Sequence, residues 1–408
     1  MLANWQMNMW EPIINLFGFI PSFGFMIIVF TICLKLVLSP LDFFNKKISR
    51  SSALKQAQIQ PKLEKLKKQI KDPKILQQKT MELYKREGYN IYGSCLFMIL
   101  NLAITLFIFI TLWSALSQMS EAKILNQYNQ IQDSFDTTFN TEMKKTDEFA
   151  GKSNDEIIAA LSSEISSKFA EAKSELEIDK EDDQLSSQER QKIIMKSTEL
   201  LVEGKYSAQI KIAQDAASTK YEEIKDNWLW IDNIWRPDTY ASGYPNYSEF
   251  AGIVHLEKLL NDKNTDEATK AEYREYQMFY DLVTQKIQGN YSSWNGYFIL
   301  VIMAGGITYL SFIITQLVTS KKRKENEPQQ QQKQMGSMKF MKIFMPALMV
   351  IFTFSYSAAF ALYIVMNSAM STLLSFASLK ILEKIENNKN DKPEVQNKKL
   401  NDKVEYSR

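Results

Sequence analysis

The apolar residues of this chain gather in four blocks, near residues 19–41, 95–117, 296–319 and 341–380, and the sequence between them is charged and polar. A membrane-spanning helix needs roughly 20 mostly apolar residues, about 30 Å at 1.5 Å each, and each of the first three blocks supplies one such length. The fourth is about twice as long as one span requires. Ser355-Tyr356-Ser357 lies near its middle and is the natural place to reverse, so the block from Met341 to Lys380 reads as two short helices joined by a tight turn. The expected spans are therefore 19–41, 93–117, 295–319, 341–357 and 358–380.

The polar stretches carry patterns of their own. Between about Asn45 and Gly88, Ile59, Leu63, Leu66 and Ile70, then Ile75, Leu76, Leu83 and Tyr84, recur at helical spacing. Asp72-Pro73 marks a reversal between them, because the residue before proline avoids the helical region and proline suits a first turn. Residues 42–92 thus read as a helical hairpin, with a solvated basic loop held near anionic lipid headgroups as the plainer alternative. The segment 118–294 is Ala, Glu, Lys, Ser and Gln rich in its first part, with exposed helices expected around Ile157 to Lys173 and Gln188 to Lys205. Trp228-Leu229-Trp230-Ile231 and Trp235 follow, indoles suited to the headgroup level. A loop rich in Pro, Gly and Tyr comes next, from Tyr240 to Tyr247, then further helix from Phe250 to Ile287. Residues 1–18, with Trp5 and Trp10 and no basic leader or small-residue cleavage site, read as an interfacial helix rather than a removable signal. The Gln329 to Gln332 run and the tail 381–408 read as polar, disordered connectors.

Charge orients the chain. The mean hydropathy of −0.26 describes an average over two solvents and says little alone. Lysine and arginine crowd 42–92 and 320–340, and short basic loops stay cytoplasmic. Residues 119–295 hold 33 acidic against 20 basic side chains, which places that insert outside. Five spans then put the N-terminus outside and the lysine-rich tail inside. The fold class expected is an all-α polytopic membrane protein, with a five-helix transmembrane core, a cytoplasmic helical hairpin and a mostly helical extracytoplasmic insert.

The candidate chemistry is sparse. The two cysteines, Cys33 and Cys95, both lie in apolar blocks, and His255 is the single histidine. That leaves no disulfide framework, no His-rich metal site and no membrane-embedded Ser-His-Asp triad. Neither HExxH, GxSxG nor a P-loop occurs, so no cofactor and no enzyme are expected. Lys35 is the one charge well inside the first span, where a lysine costs roughly 2.5–3.5 kcal/mol at a helix centre. It either snorkels toward Pro40 or faces a watered cavity. The other spans supply possible walls for a cavity: Asn101, Thr105, Thr111 and Ser114, then Thr308, Ser311, Thr315 and Gln316, then Asn367, Ser368, Ser371 and Thr372. Single Ser and Thr residues in such helices commonly bond their own backbone, so the amides carry more weight.

In order along the chain stand Phe23-Gly24-Phe25, Lys35-Leu36-Val37-Leu38-Ser39-Pro40-Leu41, Ile59-Gln60-Pro61-Lys62-Leu63, Leu83-Tyr84-Lys85, Gly93-Ser94-Cys95, Phe344-Met345-Pro346 and Leu362-Tyr363-Ile364-Val365-Met366-Asn367. Together they resemble the motifs of the YidC/Oxa/Alb membrane-insertase family. The resemblance implies a lipid-open hydrophilic groove with a cation at its centre, here Lys35 where the family usually has arginine. The polar span positions Asn101, Thr105, Gln316, Asn367 and Ser371 are then its expected walls, and the resemblance implies a substrate-receiving hairpin with Pro61, Lys62, Tyr84 and Lys85. The implied partners are nascent membrane proteins, the ribosome, the Sec translocon and anionic lipids, with no specific nucleic acid and a monomeric state, in a bacterial plasma membrane. Ile91, Phe97 and Ala103 depart from the family's prolines, and the acidic insert is unusual for its minimal members. A small-molecule or ion transporter, or an envelope scaffold working through the insert, are the rival readings. The absence of an internal repeat argues against the transporter.

Overall fold

The first two apolar blocks continue as helix far beyond their last apolar residue. The structure, a computed structural model, describes residues 5–88, 91–181, 184–240, 243–254, 267–288, 294–320 and 332–390. These residues form helices and no strand. In chain order they are α1 (Trp5–Asn15), α2 (Phe23–Gln69), α3 (Pro73–Arg86), α4 (Ile91–Met143), α5 (Asn154–Glu175) and α6 (Ser187–Glu203). Then come α7 (Ser207–Ile224), α8 (Tyr247–Ile253), α9 (Glu267–Gln288), α10 (Ile299–Ser320), α11 (Gln332–Ser355) and α12 (Ala358–Asn390). His255, most of the glutamine run and the tail from 391 lie outside the described residues.

Among the described residues three stretches are long and apolar enough to cross a membrane, Phe23–Ser52, Leu102–Met143 and Ala358–Ile385, and shorter apolar stretches occupy Ile299–Ile314 and Lys342–Ser355. The chain is a membrane-embedded protein whose described residues form helices and no strand. α2 runs unbroken through Pro40 and Pro61, both exposed. It stops at Ile70, and Asp72 then caps α3, its Oδ1 accepting from the Lys74 N–H at 2.8 Å with Pro73 in the first turn. Ile59 and Leu83 are buried where the two arms meet, so the reversal falls at Asp72-Pro73 as the pattern requires. The second reversal also falls where expected, α11 ending at Ser355 and α12 beginning at Ala358. α12 packs along both α2 and α10, and α10 along α11. α1 lies against α4: Trp10 is buried, its Nε1 donating to Thr111 Oγ1 at 3.1 Å.

The insert is less exposed than its composition implies. Beyond the membrane part, α4 carries Ile124, Tyr128, Ile131, Phe135, Phe139 and Met143, spaced three or four apart and all fully buried. That stripe faces α7, whose Ile210, Ala213, Ala217 and Tyr221 are buried against it. Each such large side chain contributes roughly 1.5–3 kcal/mol by leaving water. α5 and α6 pack as a pair, each opened by a capping box, Ser153 with Glu156 and Ser186 with Glu189. The first of them buries Ile157, Leu161, Ile165 and Phe169.

α9 closes the bundle and buries Asp281. Desolvation pushes its carboxyl up from 3.8 to about 6, against an opposing hydrogen bond from Gln288. The folded state therefore holds this proton more tightly than the unfolded chain. The associated stability is fully present below about pH 4 and is lost as pH rises through about 6. Asp281→Asn is expected to stabilise the insert by up to about 3 kcal/mol at pH 8 and to change little at pH 4. Thermal unfolding of the detergent-solubilised protein, followed by tryptophan emission across that range, measures it. Equal effects at both pH values would refute the assignment.

Candidate functional site

On α2 the residues turned toward neighbouring helices recur every three or four positions: Ile27, Phe30 and Thr31 are buried, and Leu34, Lys35, Leu38, Asp42 and Lys46 are half-buried. Cys33, Leu36, Val37 and Phe44 occupy the exposed side. Lys35 is half-buried, between half-buried Leu34 and exposed Leu36. Along the buried and half-buried positions the chemistry changes from apolar to ionic in the direction of the hairpin.

The facing helix changes at the same level. Every residue of α12 from Ala358 to Val365 is buried, whereas Met366 through Thr372 are all half-buried, Asn367 and Ser371 among them. Farther along, Lys46 Nζ donates to Ser375 Oγ at 2.8 Å. Both helices start at one place: Phe23 packs on Trp235 with ring centroids 4.3 Å apart, and Ala358 N–H donates to Arg236 O at 2.8 Å. They run parallel from there. At 1.5 Å per residue, Lys35 lies about 18 Å from that origin, and Asn367 and Ser371 about 13 and 20 Å. By that arithmetic the three positions spread over about 7 Å, on two helices that pack together.

The other expected residues fare differently. Thr105 is an exposed position of α4. Asn101 and Gln316 lie in α4 and α10, with side chains outside those described. Thr111 and Thr372 bond their own backbone, to Phe107 O at 2.7 Å and Ser368 O at 2.8 Å. In the hairpin, Lys62 Nζ reaches Glu87 Oε1 at 2.8 Å and ties the end of α3 to α2. Pro61 and Lys85 are exposed, and Tyr84 is half-buried beside Leu83.

The origin shared by these helices was not legible in the sequence. The segment 226–240 has its polar groups buried: Asn233, Asp238 and, from 294–300, Asn295 are all fully enclosed. Asp238 accepts from the Phe298 N–H at 3.1 Å and the Leu300 N–H at 2.7 Å, satisfying the first turn of α10. Asn295 Oδ1 accepts from the Asn233 N–H at 2.7 Å, and its Nδ2 donates to Pro237 O at 2.7 Å. Ser120 of α4 donates to Trp235 O at 2.8 Å. Ala359 N–H donates to Ile234 O at 2.9 Å. Phe354 at the end of α11 stacks on Phe298 at 5.8 Å. One loop thus gathers an end of α2, α10, α11 and α12 and a turn of α4. Trp228 and Trp235 are buried in it, not held at a headgroup surface; Gly24 of α2 admits the Trp228 ring so closely that a Cβ there would meet Cδ1 at 2.2 Å. The one sequence signal for this hub was an Asn, Asp and Arg cluster set among aromatics.

The sequence profile of the 60Kd inner membrane protein family matches residues 15–203, a little under half of the chain. A protein of Leptospira interrogans named membrane protein insertase YidC is 41% identical over 99 residues, 24% of this chain and 14% of that protein. Its namesake in Clostridium tetani is 40% identical over 81 residues, covering 20% and 35% of the two chains. That of Helicobacter pylori is 33% identical over 111 residues, covering 27% and 20%. The matched part is well under half of the length of each of these relatives. No solved structure matches.

Proposed function

We propose that this chain, a YidC-like membrane protein, is a membrane protein insertase that works by binding and desolvation and makes no covalent bond. The observation that carries the reading is Lys35, a cation half-buried on an apolar helix inside the stretch that the 60Kd inner membrane protein family profile matches. In this reading the half-packed, polar half of the α2–α12 contact is a groove open to lipid. It draws a short polar, often acidic, substrate segment partway into the bilayer, while apolar substrate spans leave sideways. A cation there attracts carboxylates strongly because little water screens the pair.

The finer arrangement follows the charge pattern. Five spans, formed by the first parts of α2 and α4 and by α10, α11 and α12, cross a bacterial plasma membrane with the N-terminus and insert outside. The hairpin of α2 and α3 and the tail are cytoplasmic. The hairpin receives nascent membrane proteins, from a ribosome near the lysine-rich tail and alone or beside the Sec translocon, and its lysines favour anionic headgroups. The working unit is a monomer.

Photocrosslinking groups placed at Asn367 and Ser371, with lipid-facing Phe107 as control, test this against a stalled single-span nascent chain in native membranes. Capture at the two polar positions and not at Phe107 is the expected result. If the folded, inserted protein captures nothing at either position, transport or an envelope scaffold replaces insertion as the reading.

A further inference from the structure

Trp228 and Ile231 exchange both backbone hydrogen bonds, at 2.9 and 2.8 Å, so Leu229 and Trp230 form the tip of a tight two-residue turn. Leu229 has φ +51°, the left-handed region that asparagine and glycine enter easily and a bulky side chain does not. Its side chain is 69% exposed. A strained backbone that presents leucine outward, where a polar residue would relieve both faults, calls for something apolar to receive it. The tip also has a fixed height. Trp228 beside it lies on Gly24, and its ring meets Phe25 at 6.1 Å, at the first turn of the apolar stretch beginning at Phe23. Phe25 itself is 50% exposed, so the apolar surface of α2 continues onto the turn.

The start of α10 carries the same kind of surface. Trp294 and Tyr297 stand exposed just before Ile299, and Tyr240 packs on Trp294 with centroids 4.0 Å apart. Elsewhere on the insert, large exposed apolar side chains stand apart, such as Leu176 just past the end of α5 and Met195 on α6. Tryptophan and tyrosine favour the boundary between headgroups and acyl chains, where one end of the ring is dry and the other wet.

We propose that the rim of the hub, Leu229 on one side and Tyr240, Trp294 and Tyr297 on the other, seats the insert on the bilayer. Its occupant is the headgroup–acyl boundary of the leaflet on the insert's side. The chain's embedding in a membrane is all this requires; it is independent of the insertase reading. The occupant follows from position: the turn sits beside exposed Phe25 at the start of α2, and Trp294 and Tyr297 immediately precede α10. Of the residues expected at the headgroup level, Trp228 and Trp235 are buried in the protein and Trp230 packs against them, while Leu229 stands exposed.

The test uses the full chain with Cys33→Ser and Cys95→Ser, reconstituted in phospholipid vesicles. A single cysteine at Leu229→Cys, at Tyr297→Cys or at the insert position Met195→Cys carries an environment-sensitive fluorophore. Lipids bearing a nitroxide near the headgroup should quench the first two at least about twofold more than the third, with blue-shifted emission. Quenching at Leu229→Cys and Tyr297→Cys no greater than at Met195→Cys would overturn the proposal. So would blue-shifted emission without lipid quenching, the mark of a protein partner on the rim. Should Leu229→Cys fail to fold, Tyr297→Cys decides the matter.

Discussion

Asp238→Ala is expected to destabilise the protein by about 4 kcal/mol, more than a typical single substitution costs. The change removes no exposed group and no large apolar one. It strands the N–H groups of Phe298 and Leu300 in a site from which water is shut out, since Asp238 is fully buried. An orphaned buried donor costs roughly 1–3 kcal/mol, and the vacated space adds a further penalty. Gly296 sharpens the case: a Cβ there would meet Asp238 Oδ1 at 1.9 Å, so the backbone has closed around this carboxyl. Asp238→Asn keeps one acceptor oxygen but turns an amino group toward the second N–H, and should cost about half as much. Thermal unfolding in detergent gives the stability. Limited proteolysis should reveal new cutting within residues 226–240 of the alanine protein alone. A loss under about 1 kcal/mol would mean that the hub does not depend on this cap.

Lys35→Leu is expected to separate stability from function. Removing a cation held half-buried within an apolar helix should stabilise the fold, because such a charge costs roughly 2.5–3.5 kcal/mol at the centre of a span. If Lys35 attracts acidic substrate segments, the same change should lower insertion of acid-tailed substrates about tenfold, the equivalent of 1.4 kcal/mol. Lys35→Glu should lower it further, since attraction becomes repulsion, and Lys35→Arg should retain most of it. Insertion of a reporter with an acidic tail, compared with one whose tail is neutral, gives the readout. A lysine that merely snorkels predicts unchanged insertion in the leucine protein, and that result would remove Lys35 from the mechanism.

The parts of this molecule that the sequence made legible are governed by near neighbours along the chain. Asp72-Pro73 reverses the hairpin through a cap and a ring constraint spanning three residues, and Ser355 to Ser357 divides a block too long for one crossing. Lys35 stood out because a charge in an apolar run is visible without any fold. The hub was not legible because its meaning lies in pairs such as Asn233 with Asn295 and Asp238 with Leu300, each about 60 positions apart. The core of the insert was hidden differently. Ile124, Tyr128, Ile131, Phe135 and Phe139 recur at helical spacing, but Gln, Asn, Ser and Thr between them dilute the average until the segment resembles an exposed helix. Of the residues expected to line a groove, Lys35, Asn367 and Ser371 are half-buried, while Thr105 lies on an exposed surface.

The unbroken course of α4 from Ile91 to Met143 has a consequence for how this chain can change length. Membrane part and insert are two stretches of one screw, held by Ser120 at the hub and by the α7 contact farther out. One residue added between Leu116 and Ser120 would turn everything beyond it by about 100° and raise it by 1.5 Å, swinging the Ile124 to Met143 stripe away from α7. Three or four residues together would nearly restore the angle while lifting the insert by a single turn, about 5 Å. Length in this region is therefore admissible in whole turns, much as a threaded rod meets its nut again only after a complete rotation.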